Sequence, residues 1–535
     1  MVTRSPSITR RALLLGGTGV AAAELLRRAD PAAADIGLLS CPTGPAPYTA
    51  QTFDDAVAAA TIDLTVDNTH GAVAWSTAYY LKALVSMYRA TGDLGVLDTF
   101  ADAVTQTLDL RDSTRGVTDY RGVSAPLWRT GEEFSGARTA IPDAQGRPVL
   151  DLRYGRYVRA GLGAVTVVAE SEGRFTLHCA GDAAGTAIDT FSHLSMDANS
   201  ADYVVDRLYW SDPNLGKFTA RDLRDGPGDF SPPAPGTYQL QTEYYPMPVD
   251  QGMILDSMAE FAAIAATDRR VGRVHGLLAD TCTAAVVDGL AALEFLRKEN
   301  TVNEAWYVFD PEFPMHYAGA DVPHNHSAVL ARCHLNLASA TGDATCRTTG
   351  EQLLRRFRND LRTTETGFTW NYWDSRGLGY SGWAREDQVS TRVPYSNPYQ
   401  ALEDPSHGTL EVEAALTAHA AGLVFSDNDM VRFAKTYVDQ LATTRPVDPS
   451  CSYQPPAIFS FVDGSGGIGW QSAPGRWAVL SEFDDAILPH TRGAYDDFYG
   501  SRTPTPNALY CIACILVAQT APPERYPRVY GRRRD

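Results

Sequence analysis

The stretch NEAWYVFDPEFPMHYAGADVPHNHSAVLARCHLNLASATGD, from Asn303 to Asp343, decides the fold. It begins as a loop rich in aromatic, proline and ionisable residues, and from His326 to Ser339 its apolar residues recur at helical spacing. The pattern stops at Thr341-Gly342-Asp343, where glycine favours a helix C-cap and aspartate an N-cap for the next helix. The stretch therefore places polar chemistry at the start of a helix.

The same succession of helix, tight polar turn and helix recurs along the chain. Helix pairs are predicted over 71–89 and 94–110, 252–265 and 271–296, 326–339 and 346–361, and 408–424 and 430–441, with an unpaired helix over 507–517. Ala-Thr-Gly-Asp occurs at 90–93 and again at 340–343. Repeated helical hairpins with long return loops predict a mainly α fold, a closed (α/α) toroid of about five or six hairpins.

One segment departs from this pattern. Residues 161–240 contain β-branched and aromatic residues between Gly, Asp and Asn turns, which is typical of strands. We therefore divide the chain into a signal peptide at 1–34, the first part of the toroid at 35–160, a β-rich insertion at 161–240 and the remainder of the toroid at 241–535.

Composition restricts the partners. The chain has 44% hydrophobic and 21% charged residues, as a globular protein does, and a formal net charge of −18. Nucleic acid and anionic membrane surfaces both need a basic protein face, so we expect neither as a partner. Composition does not determine the oligomeric state.

The N-terminus resembles an export signal. Arg10-Arg11 precede a nearly uncharged run from Ala12 to Leu26, and Ala32-Ala33-Ala34 follow as a small-residue cleavage site. These features predict secretion by the twin-arginine route, with cleavage after Ala34. We expect no other stretch of transmembrane length. Eight cysteines suit an oxidising compartment, but their spacing assigns no pairs.

Polar residues precede each first helix of a predicted pair. Asn68 and His70, Asp250, Asn325 and His326, Asp404 and His407, and Asn507 occupy these positions. Helix capping explains Asn and Asp there, but histidine is a poor cap. Since the inner helices of a toroid run in the same direction, we expect these starts to converge on one opening, where the helix dipoles favour an anionic group.

Aromatic residues are frequent in the loops around these starts. Aromatic rings stack on the apolar face of sugars, and so many in Gly- and Pro-rich loops favour a sugar-binding groove, although core packing explains each one separately. The candidate substrate-binding residues are Asn68, His70, Trp75, Tyr245, Asp250, Trp306, His316, His324, Trp370, Tyr372, Arg385 and Tyr395.

Tandem helical hairpins with aromatic loops resemble the (α/α)-toroid carbohydrate-active enzymes, namely polysaccharide lyases, uronyl epimerases and several glycosidases. Asn325-His326-Ser327 is similar to the Asn-Asn-His-Ser motif of toroid alginate lyases, with His324 in place of the first Asn. The resemblance implies that Asn325 neutralises a uronate carboxyl and that His326 takes part in proton abstraction.

Such an enzyme cleaves by β-elimination, which needs a base, a donor that neutralises the carboxylate and an acid for the leaving oxygen. The candidates are His326 or a tyrosine as the base, Asn325 with Arg385 or Arg392 as neutralisers, and Tyr317 or Tyr395 as the acid. The catalytic candidates are completed by Glu403, Asp404 and His407.

Three alternatives remain open. Glycoside hydrolysis needs two carboxylic groups, which Glu403, Asp404, Glu304, Asp250 and Asp67 could supply. The second alternative is a metal site formed by His70, His324, His326 and His407 with Asp404. These residues do not follow any recognised metal-ligand spacing, so we predict no cofactor and no metal. A glycan-binding protein without catalytic activity is the third alternative.

Overall fold

The computed structural model describes residues 48–520, except 131–134, 156–162, 182–186, 213–216, 225, 227–228 and 448. The signal peptide predicted at 1–34 lies outside the described residues and stays a prediction.

Helices occupy the positions that the apolar periodicity predicts. In chain order, those of the described residues are α1 (Ala50–Ala59), α2 (Ala78–Thr91), α3 (Gly95–Asp109), α4 (Asp112–Arg115), α5 (Val204–Ser211), α6 (Pro248–Thr267), α7 (Arg269–Leu293), α8 (His324–Thr341), α9 (Ala344–Asp360), α10 (Leu378–Ser381), α11 (Gly408–Ala420), α12 (Asp427–Lys435), α13 (Ile487–Tyr499) and α14 (Pro506–Thr520). Short turns of 3-10 helix (Asn68–His70) and π-helix (Val73–Thr77) precede α2.

The repeated Ala-Thr-Gly-Asp marks the end of one helix and the start of the next. Gly92 and Gly342 have φ of +72° and +78°, a conformation that glycine adopts without strain, and their N–H groups donate back into α2 and α8. The Asp343 carboxylate then accepts hydrogen bonds from the first N–H groups of α9, at 2.7 Å from Thr345.

The first helices of the pairs form the interior. Helix α2 packs on α6 and α14, α6 packs on α8, and α8 packs on α11. Helix α6 is buried on every side from Pro248 to Ala265, as expected for a helix enclosed by other helices. Helix α3 buries one stripe only, including Leu97, Phe100 and Val104, because it covers α2 from outside.

The mainly α class is wrong, and no toroid is shown. Over the part of the chain that the structure describes, the protein is 48% helical with 17% strand in five small antiparallel sheets, which is a mixed helix-and-strand architecture. The strands are β1 (Gly136–Pro142), β2 (Pro148–Tyr154), β3 (Ala164–Ala169), β4 (Phe175–Ala180), β5 (Ala187–Leu194), β6 (Phe218–Asp222), β7 (Gly236–Gln239), β8 (Gln241–Glu243), β9 (Arg297–Glu299), β10 (Ala305–Tyr307), β11 (Arg362–Thr364), β12 (Gly367–Thr369), β13 (Ala442–Thr444) and β14 (Pro456–Ile458).

Strands β9 to β14 were not predicted because they are short. They form three two-stranded sheets, each in a segment that follows the second helix of a pair, and each strand has three residues. Three residues are too few to show the alternation of apolar and polar side chains that identifies a strand.

The β-rich part begins at Gly136, before the boundary that we placed at residue 161. It contains two four-stranded antiparallel sheets, with strand orders β6-β2-β1-β8 and β5-β4-β3-β7. Side chains such as Leu152, Phe175 and Leu177 form an apolar core separate from that of the helices. Helix α5 belongs to this part of the chain.

The segment Arg269–Leu296 is long and apolar enough to cross a membrane by length and composition, where we expected no such stretch. It contains α7, which packs on α6 as the outer helix of a pair.

Candidate active site

Two of the predicted helix starts are joined by a buried hydrogen bond. Asn68, in the turn before α2, donates its side-chain N–H to Asp250 Oδ2 over 2.9 Å, although 182 residues separate them. Thr130 Oγ1 donates to the same oxygen over 2.6 Å. Burial raises the pKa of Asp250 above its ordinary value, against the hydrogen bonds from Thr130, Asn68 and Trp75.

His407, at the start of α11, connects this pair to the rest of the site. Its ring is held edge-on by Trp75, Tyr372 and Trp470, with centroids 6.4, 5.7 and 6.0 Å away. Aromatic side chains from three separate segments thus surround one imidazole. Its Nε2 makes no hydrogen bond to any described residue.

Asp404 is the hydrogen-bond partner of the His407 imidazole. Asp404 Oδ2 lies 2.6 Å from His407 Nδ1, and Oδ1 accepts the backbone N–H of Ser406 and of His407. Burial opposes the charge on the imidazole, but the neighbouring carboxylate outweighs it, so the pKa of His407 is raised above its ordinary value. Asp404 therefore favours the protonated form of the His407 imidazole.

His326 has the opposite character. It lies in the first turn of α8, is 5% exposed, and packs edge-on against Phe309 at 5.7 Å. Burial and the positive charge of His407 lower its pKa well below the ordinary value, so it is neutral and able to accept a proton. Its Nδ1 is buried and hydrogen-bonds to no described residue.

Asn325 supplies a donor beside this imidazole. Its Oδ1 accepts the N–H of His326 over 2.9 Å, which fixes the amide orientation. Its Nδ2 is buried and bonds to no described residue. A buried amide N–H without a protein acceptor is costly, and a substrate oxygen would satisfy it.

Two tyrosines border the imidazoles. Tyr317 packs on Phe309 and Trp373 with centroids 4.5 and 5.8 Å away, and it interacts electrostatically with Tyr372. Burial, followed by the charge of Glu403, raises the pKa of Tyr372 well above its ordinary value, so this phenol keeps its proton. A protonated phenol can donate a hydrogen bond to a sugar oxygen.

Glu403 is not placed as a free catalytic carboxylate. It is fully buried, and its carboxyl lies near that of Glu411. Burial, followed by the charge of Glu411, raises the pKa of Glu403 well above its ordinary value. Burial, against hydrogen bonds that include those of Glu403 and Trp370, raises the pKa of Glu411 to about 8, so the Glu411 carboxyl retains its proton near neutral pH.

The raised pKa of Glu411 predicts a pH dependence of stability. In unfolded chains the Glu411 carboxyl ionises near its ordinary pKa of 4.5, whereas the folded chain retains the proton to about pH 8. The unfolded state thus binds fewer protons in this window, and stability falls as pH rises from about 4.5 to about 8. We expect Glu411→Gln to reduce the fall in unfolding temperature between pH 5 and pH 8, measured by differential scanning fluorimetry.

The matched control is Glu351→Gln, which alters a glutamate paired with Arg355 on the outer helix α9. It should keep the pH dependence of the wild type. An identical fall in unfolding temperature for Glu411→Gln and wild type would show that the Glu411 carboxyl is ionised in the folded protein.

Among the described residues, Glu403, Asp404 and His407 also form a group that could hold a metal ion. One ligand atom from each lies within 4.8 Å of the others. However, His407 Nδ1 and the Asp404 oxygens already satisfy each other and the backbone. A cation would have to displace these hydrogen bonds.

The other predicted residues lie outside this cluster or beneath it. His324 pairs with Asp360 at 2.9 Å and packs on Phe357, Trp306 lies under the Arg356 guanidinium, and Trp370 is buried against Phe433. His70 is exposed, and His316 packs against Tyr317. Tyr245 stacks on Tyr120, and Asn507 binds Tyr499 and the Ser472 carbonyl.

The three residues nearest the β-rich part contact its elements. Arg392 is buried and binds Asp151 and Glu312, both at 2.6 Å, so it is not available to neutralise a substrate. Arg385 pairs with Asp206 at 2.5 Å, and Tyr395 packs on Trp210.

Several residues of the cluster were missed. Thr130, Phe309, Trp373, Glu411, Trp470 and Arg476 were absent from our candidates. Arg476 donates to Ser406 and Tyr79, both at 2.8 Å, and so connects the His407 segment to α2. Glu411 follows Glu403 by eight positions and precedes Glu413, an acidic pattern on an apolar helix that could have indicated a buried carboxyl.

Comparison of the chain with protein-family models, with curated proteins and with solved structures found no match.

Proposed function

We propose that this protein is a secreted enzyme that cleaves a uronate-containing polysaccharide by β-elimination. The observation that carries the proposal is that His326, Asn325 and His407 belong to one buried cluster. In it the pKa of the His326 imidazole is lowered, the pKa of the His407 imidazole is raised, and Asn325 Nδ2 bonds to no described residue. Environments that push neighbouring groups to opposite protonation states are typical of acid-base catalysis. The similarity of Asn325-His326-Ser327 to the lyase motif supports the same chemistry.

Each group has one role. His326 removes the proton α to the uronate carboxylate, and the electron pair of that C–H bond forms the new double bond. Asn325 Nδ2 and His407 stabilise the charge that develops on the carboxylate. The bond to the leaving glycosidic oxygen breaks, and Tyr317 protonates that oxygen. The products are a reducing end and an unsaturated uronate.

The positive charges that attract the substrate are local. The whole chain carries a net charge of −18, which repels a polyanion. The imidazolium of His407 and the guanidinium of Arg476 lie in the same part of the interior, joined through Ser406. A uronate carboxylate would be drawn to this pair within an otherwise acidic protein.

The decisive experiment measures two products at once. We expect incubation with alginate, polygalacturonate or hyaluronan to release reducing ends together with the ultraviolet absorbance of a conjugated unsaturated uronate, and dextran, which lacks uronate, to yield neither. Reducing ends without that absorbance would overturn elimination in favour of hydrolysis.

Hydrolysis is the second candidate because of Asp250. Burial raises the pKa of Asp250, which is the direction that a general acid of a glycosidase requires, and Asp404 supplies a second carboxyl, 2.6 Å from His407 Nδ1. A neutral glycan would also not be repelled by the acidic surface.

Secretion is part of the proposal. Cys451 is disulfide-bonded, which suits an oxidising compartment, while Cys179, Cys282 and Cys333 are buried free thiols.

A further inference from the structure

Trp210 is an exposed tryptophan at the junction between the β-rich part and the helices. It lies on α5 with 53% of its surface exposed. Its ring is 5.6 Å from that of Tyr395, in the loop that precedes α11, and 5.1 Å from that of Tyr209. Large aromatic side chains are usually buried, so an exposed tryptophan held between two other rings suggests a binding surface.

The surface is preformed. Tyr209 is buried, and its hydroxyl donates a hydrogen bond to the backbone carbonyl of Tyr395. Arg385 pairs with Asp206 at 2.5 Å, one turn before Trp210 on α5. These two contacts fix the helix against the loop, so that little side-chain entropy would be lost when a ligand stacks there.

Polar groups border the rings. The Tyr395 hydroxyl donates to Asn397 Oδ1 over 2.7 Å, and the Arg385-Asp206 pair remains about half exposed, with side chains 56% and 39% accessible. An aromatic face edged by a guanidinium, a carboxylate and an amide matches a pyranose ring, which has an apolar C–H face and polar hydroxyl or carboxylate groups at its rim.

The same loop leads to the candidate active site. The Tyr399 ring is 6.3 Å from that of Tyr372, which is 5.7 Å from His407. Tyr395 precedes Tyr399 by four residues, which span at most about 14 Å. The rings of Trp210 and Tyr395 therefore lie within reach of a few sugar units from the imidazoles.

We propose that Trp210 and Tyr395 form a distal subsite that binds a pyranose unit of the polymer away from the bond that is cleaved. The inference rests on the proposed function and deepens it, because it makes the β-rich part a contributor to substrate binding and favours long chains over short ones.

The test separates binding from cleavage. In a His326→Ala background, which leaves the polymer intact, affinity electrophoresis is run in gels that contain alginate, polygalacturonate or hyaluronan. We expect Trp210→Ala to weaken retardation by about tenfold, as loss of one aromatic stacking contact would. Trp210→Phe should retain most of the retardation. Phe230→Ala, which removes an equally exposed aromatic residue, should have no effect.

Kinetics of the variants without the His326 change give a second measurement. Trp210→Ala should raise KM for the polymer and leave both kcat and the rate on an oligosaccharide too short to reach the subsite unchanged.

Each contrary outcome is distinct. Equal retardation of Trp210→Ala and its parent, with product formation intact in the wild type, would overturn the subsite alone. Conversion of a dimer into a monomer by Trp210→Ala, seen by light scattering, would show that the rings contact a second copy and overturn the subsite. No retardation by any polymer, together with no product, would overturn both the subsite and the proposed function.

Discussion

His326→Ala is expected to lower kcat/KM on the cleaved uronate polymer by about 10²- to 10⁴-fold, the usual contribution of a positioned general base. The imidazole is neutral because burial and His407 lower its pKa, and its Nδ1 has no partner among the described residues. Alanine leaves no group at position 326 to remove the proton, and the neighbouring His324 is paired with Asp360. The initial rate of ultraviolet absorbance measures the loss.

The pH profile provides a second measurement for the wild type. Since the pKa of His326 lies well below 6.5, protonation of the base should reduce activity only at a pH below that value. Loss of activity beginning above pH 6.5 on the acid side would contradict a lowered pKa.

The matched control is His334→Gln, eight residues further along α8. His334 is buried, its Nε2 lies 3.2 Å from the Tyr307 hydroxyl, and burial lowers its pKa to about 4. The His334 side chain contributes to packing only, so its replacement should preserve turnover. Wild-type rates in His326→Ala, with a circular dichroism spectrum like that of the parent, would refute the assignment of the base.

Arg332→Met is expected to destabilise the protein by about 3–5 kcal/mol, because it leaves buried carboxylates without their partner. Arg332 on α8 is 6% exposed and binds Asp256 at 2.5 Å, Glu260 at 2.6 Å and Glu413 at 3.0 Å. Lys82 on α2 is the other fully buried cation of this network. Urea unfolding followed by fluorescence measures the change.

Arg270→Met is the control for this experiment. Arg270 pairs with Asp268 at the start of α7, but its side chain is 61% exposed, and exposed ion pairs contribute little to stability. The urea unfolding midpoint of Arg270→Met should stay near that of the wild type.

Arg332→Lys retains the charge but loses the planar guanidinium that binds three carboxylates, so we expect an intermediate loss of stability. An unchanged midpoint for Arg332→Met would contradict the burial of the network.

The helices were predictable because local chemistry determines them. Glycine caps at Gly92 and Gly342 and the aspartate cap at Asp343 mark boundaries that are visible in four consecutive letters. The polar residues before the helices were also visible, and Asn68, Asp250, His326 and His407 do meet in one cluster. The sequence therefore predicted part of this cluster, and its role as an active site stays a prediction.

The rest depends on contacts between distant segments. His324 and His326 are two residues apart, yet one pairs with Asp360 and the other faces His407, and no pattern in the sequence distinguishes them. The sequence also does not indicate which aromatic residues are exposed. Trp210 and Trp370 both lie in aromatic segments, yet Trp210 is 53% exposed and Trp370 is fully buried. The short sheets were not predicted because their three-residue strands show no alternation of apolar and polar side chains.

The ion network also lies at a fixed distance from the polar side chains of the candidate site. Asp250 and Asp256, His326 and Arg332, and His407 and Glu413 are each six positions apart, on or at the start of α6, α8 and α11. Six residues of helix rise about 9 Å, so one layer of charges lies a fixed distance below one layer of polar side chains. A slip of any of these three helices along its axis would break ion pairs. The network therefore keeps α6, α8 and α11 in register along their axes. Variants that weaken it should disturb the relative positions of Asp250, His326 and His407 even where the chain remains folded.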